Sequence, residues 1–328
     1  KADIPSCKEI FTRHDGMYII ASQSLVSKIS QIFHEVIDQT LQHFVPLHIG
    51  PTAFTRDDIM QNHTPKWATL LLPQAIGMID STYIYVQKSW NFNNQKKSYC
   101  SHKPNNLMKM MGVMLLDGRW FDMYGPYMSD GSNNDEIIWH TLSDESEEER
   151  KSNDLCEQRK ELQSTFIRTD MFVADRGFTR CKGKWALYTP DSICKGEKQL
   201  STMKANQTRC VTRIRNGIER GFGRLKQWKF VDFVVDTYYL PTIGKIMKIL
   251  CTVDNAFFTR LIEGNDEVRI EAECLLSNLE LENKVKSLEA ETGGWRKANI
   301  DDIKNIIPTY DQIDIEKHSG EYSIRLAH

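Results

Sequence analysis

A chain of 328 residues, 40% hydrophobic and 26% charged, has the balance of a globular protein with room for one large domain or two ordinary ones. No apolar run approaches the roughly 18 residues of a membrane span, and no signal-peptide pattern opens the chain. The formal net charge of −2 gives no hint of nucleic acid; the eight cysteines contain no C-x-x-C pair and the nine histidines no H-E-x-x-H, which argues against a zinc ribbon or a zinc hydrolase.

The scattered cysteines read as reduced thiols of an intracellular protein. The first residue is Lys1, not Met, so the sequence reads as a processed or partial chain. Residues 1–45 read as helical. Val26, Ile29, Ile32, Phe33, Val36, Ile37 and Leu41 recur at helical spacing, either as the closing helix of a helix-turn-helix unit or as a helix packed on the next domain. Pro46, Pro51 and Pro65 punctuate a connecting region.

Near residue 75 the period changes. Residues 75–86 are rich in Ile, Tyr, Val and Thr and predict a strand with Asp80 inside it. Residues 108–116 and 119–124 predict two more strands, joined by the hairpin signal Asp117-Gly118. A helical patch at Ile137-Ile138-Trp139 and an exposed acidic block, residues 144–149, follow. Residues 166–174 contain a predicted fourth strand, ending at Asp175.

A polar stretch then leads into a helix over 200–227. Val211, Ile214, Ile218, Phe222 and Leu225 form its buried stripe, with Glu219 on the edge of that stripe. The segment 209–229 carries Arg209, Arg213, Arg215, Arg220, Arg224, Lys226 and Lys229 against one acid, Glu219, so a basic stripe coexists with a global charge near zero. A second apolar helix spans about 240–262. Beyond it the chain is acidic and amphipathic to residue 291, and the last residues carry no usable signal.

Strands, a hairpin, a helical crossover, another strand and then helices make an α/β plan: an RNase H-like mixed sheet with flanking helices, preceded by a small helical N-terminal segment. The boundaries expected are 1–70 for the helical segment and linker, 71–262 for the α/β domain and 263–328 for an acidic helical tail. If the first and fourth strands pair in parallel, Asp80 and Asp175 become neighbours, and a helix packed on the sheet brings Glu219 alongside. Three carboxylates so gathered make an oxygen-rich site for hard cations such as Mg²⁺ or Mn²⁺. A pair of ions sits about 3.5–4 Å apart, which asks for a bridging carboxylate, best supplied by Asp80 on its strand.

Other residues stay open between two readings. Asp135 either caps a helix or helps to position a metal-bound water or DNA. His102 and Lys103 either contact phosphate or belong to a solvated loop. Trp90, Trp120 and Trp185 either stack on unpaired bases or fill core and rim. Arg215, Arg220, Arg224 and Lys226, flanking Glu219, are the candidate DNA-phosphate contacts.

The runs Val173-Ala174-Asp175-Arg176-Gly177-Phe178 and Ile218-Glu219-Arg220-Gly221-Phe222-Gly223-Arg224-Leu225-Lys226-Gln227-Trp228 resemble the second and third catalytic blocks of the PIF/Harbinger-type DDE transposases. Ile79-Asp80-Ser81-Thr82 resembles the first block, where the family more often has Gly or Cys at the position of Ser81. Gly125-Pro126-Tyr127, Ser132-Asn133-Asn134-Asp135 and Lys195-Gly196-Glu197-Lys198-Gln199-Leu200 resemble further family segments. The resemblance covers about residues 20–260. It implies an RNase H-like DDE nuclease with Asp80, Asp175 and Glu219 as catalytic metal ligands and two Mg²⁺ or Mn²⁺ ions. It implies double-stranded DNA at transposon terminal repeats as substrate, a Myb-like partner, a homo-oligomer and a nuclear location. The rival expectation is a domesticated relative that binds DNA or protein without cutting.

Overall fold

The protein is described by a computed structural model covering residues 23–131, 133–143, 153–181, 183–193, 195–196, 199–262, 266–279 and 281, with backbone alone at 23–26 and 153–157. The acidic block at 144–149 and the chain beyond 281 lie outside the described residues, so the acidic tail expected over 263–328 is seen only in its first helix.

Six strands form one sheet in the order β2-β3-β1-β5-β6, with β4 paired to β3. The central strand β1 (Ala75–Tyr85) runs antiparallel to β3 (Asn105–Leu115), placing Asp80 opposite Gly112. The hairpin to β4 (Trp120–Met128) turns at Asp117-Gly118, where Gly118 has φ +87°, a conformation that glycine adopts without a Cβ penalty. The short β2 (Tyr99–Cys100) follows helix α4 (Phe92–Ser98). On the other edge β5 (Met171–Val173) and β6 (Ala186–Tyr188) run parallel to β1. Three antiparallel strands followed by two parallel ones are the RNase H-like plan.

Helices cover both faces, which is why the strands read as near-continuous apolar runs. On one face α7 (Thr202–Leu225), α9 (Ile243–Phe257), α3 (Lys66–Leu71) and α10 (Asp266–Ser277) pack over Met78, Met110, Met114 and Trp120. On the other, α2 (Arg56–Asn62), α5 (Asp135–Ser143) and α6 (Asn153–Thr165) cover Ile79, Met111, Val113 and Phe121. The short α8 (Lys229–Asp232) follows α7.

Helix α7 positions the last acid. Its stripe Val211, Ile214, Ile218, Phe222 and Leu225 is buried as the spacing predicts, and each such side chain contributes about 1.5–3 kcal/mol through apolar burial. Two glycines let it settle onto the sheet. A Cβ on Gly112 would stand 2.8 Å from Trp120 and 2.9 Å from Phe222, and one on Gly221 would collide with Met114 and Trp120.

Differences from the sequence expectation have local causes. The fourth strand, expected within 166–174, occupies Met171–Val173, because Phe166 closes α6 through its N–H to the Leu162 carbonyl while its ring enters the core. Helix end and strand are both apolar there and read as one run. The helix expected over 240–262 begins at Ile243, after a 3₁₀ turn (Thr237–Thr242) containing Pro241. Helix α1 (Gln23–His43) buries Ile37 and packs on α9, but Ile29, Ile32 and Val36 of its stripe are exposed.

Candidate active site

Asp80 sits mid-strand on β1, largely buried. Its one described hydrogen bond comes from the backbone N–H of Ser81, 2.8 Å from Oδ1. Burial pushes its pKa up to about 7; the Ser81 N–H and the Arg215 charge pull it down, while Asp135 and Asp175 add to the rise. Asp80 is thus a carboxyl group surrounded by other acids, with no direct ion pair among the described residues.

Asp175 lies two residues beyond β5, at the start of a 3₁₀ turn (Arg176–Phe178). Its side chain caps nothing and faces the parallel-strand end where β1 and β5 pair. Glu219 projects from α7. Arg215, one turn earlier, forms an ion pair with Glu219, Nη1 to Oε1 at 2.7 Å, and stands 3.8 Å from Asp175 Oδ1. Asp175 is close enough to act on Asp80, and Arg215 stands between Asp175 and Glu219. Among the described residues no three His, Cys, Asp or Glu side chains stand close enough to enclose a metal.

Asp135 opens α5, yet Asn134 performs the cap, its Oδ1 accepting the Ile137 N–H at 2.7 Å. The Asp135 carboxylate instead accepts from Lys109 Nζ at 2.9 Å, and its charge reaches Asp80. Lys109 is a buried lysine on β3, and an unpaired buried ammonium is costly, so this pair fixes both side chains. Tyr83 lies under Lys103 and Lys109, 4.4 and 5.5 Å from its ring centre. Burial, then the Asp135 charge, push Tyr83 up to about 12, so it stays a neutral phenol. Lys226 completes the ring: burial and the Lys103 charge lower its pKa, with Asp80 opposing.

The donor set is hard: carboxylate oxygens of Asp80, Asp135, Asp175 and Glu219, without thiol or imidazole. That chemistry fits Mg²⁺ or Mn²⁺. Asp80, charged only above about pH 7 and lacking a cationic partner of its own, is where a divalent ion would relieve the largest electrostatic cost.

The four basic residues expected to hold DNA fall into separate settings. Arg215 serves the acids. Lys226 lies beside Asp80 and Lys103. Arg224 is tied into the core, its Nη1 donating to the buried Asp254 Oδ1 (3.1 Å) and the Thr259 carbonyl (3.0 Å). Arg220 is exposed and has no ion pair among the described residues. Trp120 and Trp185 are core residues, whereas Trp90 is fully exposed. His102 is exposed in its loop. Lys109 went unnoticed in the sequence, although a lone lysine inside Leu107-Met108-Lys109-Met110-Met111 is the signal of a cation with a buried partner.

A family model described as DDE superfamily endonuclease matches residues 79–255, more than half of the chain. No curated protein and no solved structure matches it.

Proposed function

Because the chain belongs to the DDE superfamily endonuclease family, we propose that it is a metal-dependent DNA endonuclease and transposase of PIF/Harbinger type. Asp80, Asp175 and Glu219 are its metal-holding triad. The observation that carries this reading is Asp80: a buried carboxyl with a pKa near 7, facing two further acids, with a third within reach through Arg215. When bound, two Mg²⁺ or Mn²⁺ ions would supply an activated water or 3′-hydroxyl and stabilise the leaving oxygen of a phosphodiester.

The chain's own residues do the rest. Ionised Asp80, with Asp175 and Glu219, would hold the ions. Arg215 balances the charge of Glu219 and Asp175. Lys109 Nζ, 2.9 Å from Asp135 Oδ1, holds that carboxylate where its charge reaches Asp80. Tyr83 stays protonated and offers a hydroxyl. Lys226 and Lys103 place positive charge where a phosphate must approach carboxylates. The substrate class is double-stranded DNA, most specifically transposon terminal repeats, handled in the nucleus with a Myb-like partner and as a homo-oligomer.

A second reading, a DNA-binding relative without nuclease activity, has one observation in its favour: Arg215 occupies Glu219 at 2.7 Å. Cleavage of supercoiled DNA with Mn²⁺, combined with Mn²⁺ calorimetry, separates the two. The endonuclease reading expects cleavage that Asp80→Asn abolishes, weakened Mn²⁺ binding in that variant and unimpaired folding. Cleavage that survives Asp80→Asn overturns the triad. A wild-type protein that binds duplex DNA but neither Mn²⁺ nor cuts favours the second reading.

A further inference from the structure

On α7 the acid-facing residues and most of the arginines do not share a face. Arg215, Glu219 and Lys226 face the carboxylates. Arg213, Arg220 and Arg224 point away from them by about 140°, at the 3.6 residues per turn of an α-helix. With Arg260 from the segment after α9, these three line a cleft of about 360 Å³, whose lining also includes Trp67 and Asn216.

The cleft has the makings of an anion site. Its volume falls within the range of small-ligand pockets, but such pockets are mostly apolar, and four guanidinium groups line this one without a single acid among the lining residues. Three of the arginines have acid partners outside the lining, two of them buried and one at the surface. Asp254 holds Arg224 from the core, at 3.1 Å. Asp117, buried, stands 3.4 Å from Arg260 Nη1. Glu271 on α10 takes Arg213 at 2.7 Å. A guanidinium has five N–H donors, so these contacts orient the groups and leave donors for the cleft. Arg220 has no ion pair among the described residues. Planar, preset guanidinium groups match phosphate oxygens bidentately.

The ridge of α7 between the cleft and the acids is low. Gly223 stands on it, exposed, and a Cβ there would meet nothing within 4 Å. A mid-helix glycine costs about 1 kcal/mol relative to alanine, and no packing neighbour accounts for this one. A bare ridge lets another backbone come close.

We propose that the Arg213–Arg220–Arg224–Arg260 cleft is a second phosphate-binding site, which takes a backbone phosphate of the DNA strand that crosses α7 at Gly223 to reach the acids. The inference rests on the DNA substrate proposed above and adds a site on the opposite side of the helix. The helix is about 10 Å across and one strand rises 3.4 Å per phosphate, so the cleft would hold a phosphate roughly three nucleotides from the one over the acids.

The test is duplex affinity across a salt series in EDTA, where no metal contributes, for wild type and Arg213→Ala/Arg220→Ala. Arg220 is exposed and the Arg213–Glu271 pair is at the surface, so the variant keeps its fold, as a matching Tm verifies. Losing two contacts should lower the slope of log affinity against log salt by about 1.8, for unrelated sequences alike, while Mn²⁺ binding by calorimetry is unchanged. Arg220→Lys, which keeps the charge, should restore part of that slope. An unchanged slope overturns the cleft and leaves the acid site standing. A slope unchanged for DNA, with binding of a Glu-rich peptide lost instead, also overturns it and assigns the cleft to an acidic protein segment. Failure of the acid-site reading would show separately, as cleavage that survives Asp80→Asn.

Discussion

Replacing Arg224 by Ala tests how much this cleft-lining arginine also contributes to the stability of the fold. Its Nη1 reaches Asp254 Oδ1 at 3.1 Å and the Thr259 carbonyl at 3.0 Å, and Asp254 is only 4% exposed. Removing one partner of a buried ion pair strands the other, a loss of 3–5 kcal/mol; Asp254 keeps the Trp120 indole N–H at 3.1 Å, so the lower end, about 3 kcal/mol, applies. For a core of this size Tm moves by roughly 2–4 °C per kcal/mol, so thermal unfolding near neutral pH should fall by about 6–12 °C. The pH dependence follows from Asp254, whose pKa burial already raises despite Arg224. An acid with a raised folded pKa costs stability above the ordinary carboxylate range and none below it. Without Arg224 that rise grows, so the Tm deficit should shrink as the solution is acidified. Asp254→Asn added to Arg224→Ala should recover part of the loss, because no buried charge then remains. A Tm unchanged by Arg224→Ala would refute the argument, whatever happens to duplex affinity, because Asp254 would then not depend on this arginine.

Asp80→Asn should lose cleavage yet raise Tm in the absence of metal at about pH 8. The wild-type carboxylate is then ionised and buried, a penalty that develops between the ordinary carboxylate pKa and about 7 and so disappears near pH 4. Gly112→Ala should cost about 1–3 kcal/mol in denaturant unfolding, since the new methyl meets Trp120 and Phe222 below 3 Å; it should also weaken Mn²⁺ binding, because α7 carries Glu219. Glu161, raised to about 7 by burial and by the Asp122 charge, makes the wild type lose stability as pH climbs from about 4.5 to about 7; Glu161→Gln should flatten that part of the Tm profile, and an unaltered profile would remove Glu161 as its source.

The order of strands, the hairpin at Asp117-Gly118 and the buried stripe of α7 were legible because each rests on local spacing: alternation, a turn dipeptide, a helical period. Asp80 and Asp175 could be set side by side from sequence because a parallel crossover joins their strands, and β1 and β5 do pair that way. β6 escaped notice, since Ala186–Tyr188 is three residues within a polar stretch and is a strand only because β5 offers an edge. Asp135 was ambiguous for a related reason. Asparagine and aspartate stand together at 133–135, and only the fold decides that Asn134 takes the cap while Asp135 turns to Lys109.

The basic stripe shows where one-dimensional reasoning stops. Counting along residues 209–229 finds a single acid and suggests unneutralised charge. The partners come instead from distant elements: Glu271 on α10 for Arg213, Asp254 on α9 for Arg224, and Asp175 after β5 together with Glu219 for Arg215. Charge balance over a segment therefore says little about charge balance at a surface, because a helix shares its faces among several neighbours. What survives is a division of labour by angle. One face of α7 brings positive charge to the acids, the opposite face builds the arginine cleft, and buried apolar residues between them fix the angle at which both meet a strand. A transposase-like nuclease must hold a polyanion against a cluster of carboxylates. With the proposed cleft, holding it on both sides of one helix would let phosphates farther along the strand supply binding that a scissile phosphate beside the acids could not supply by itself.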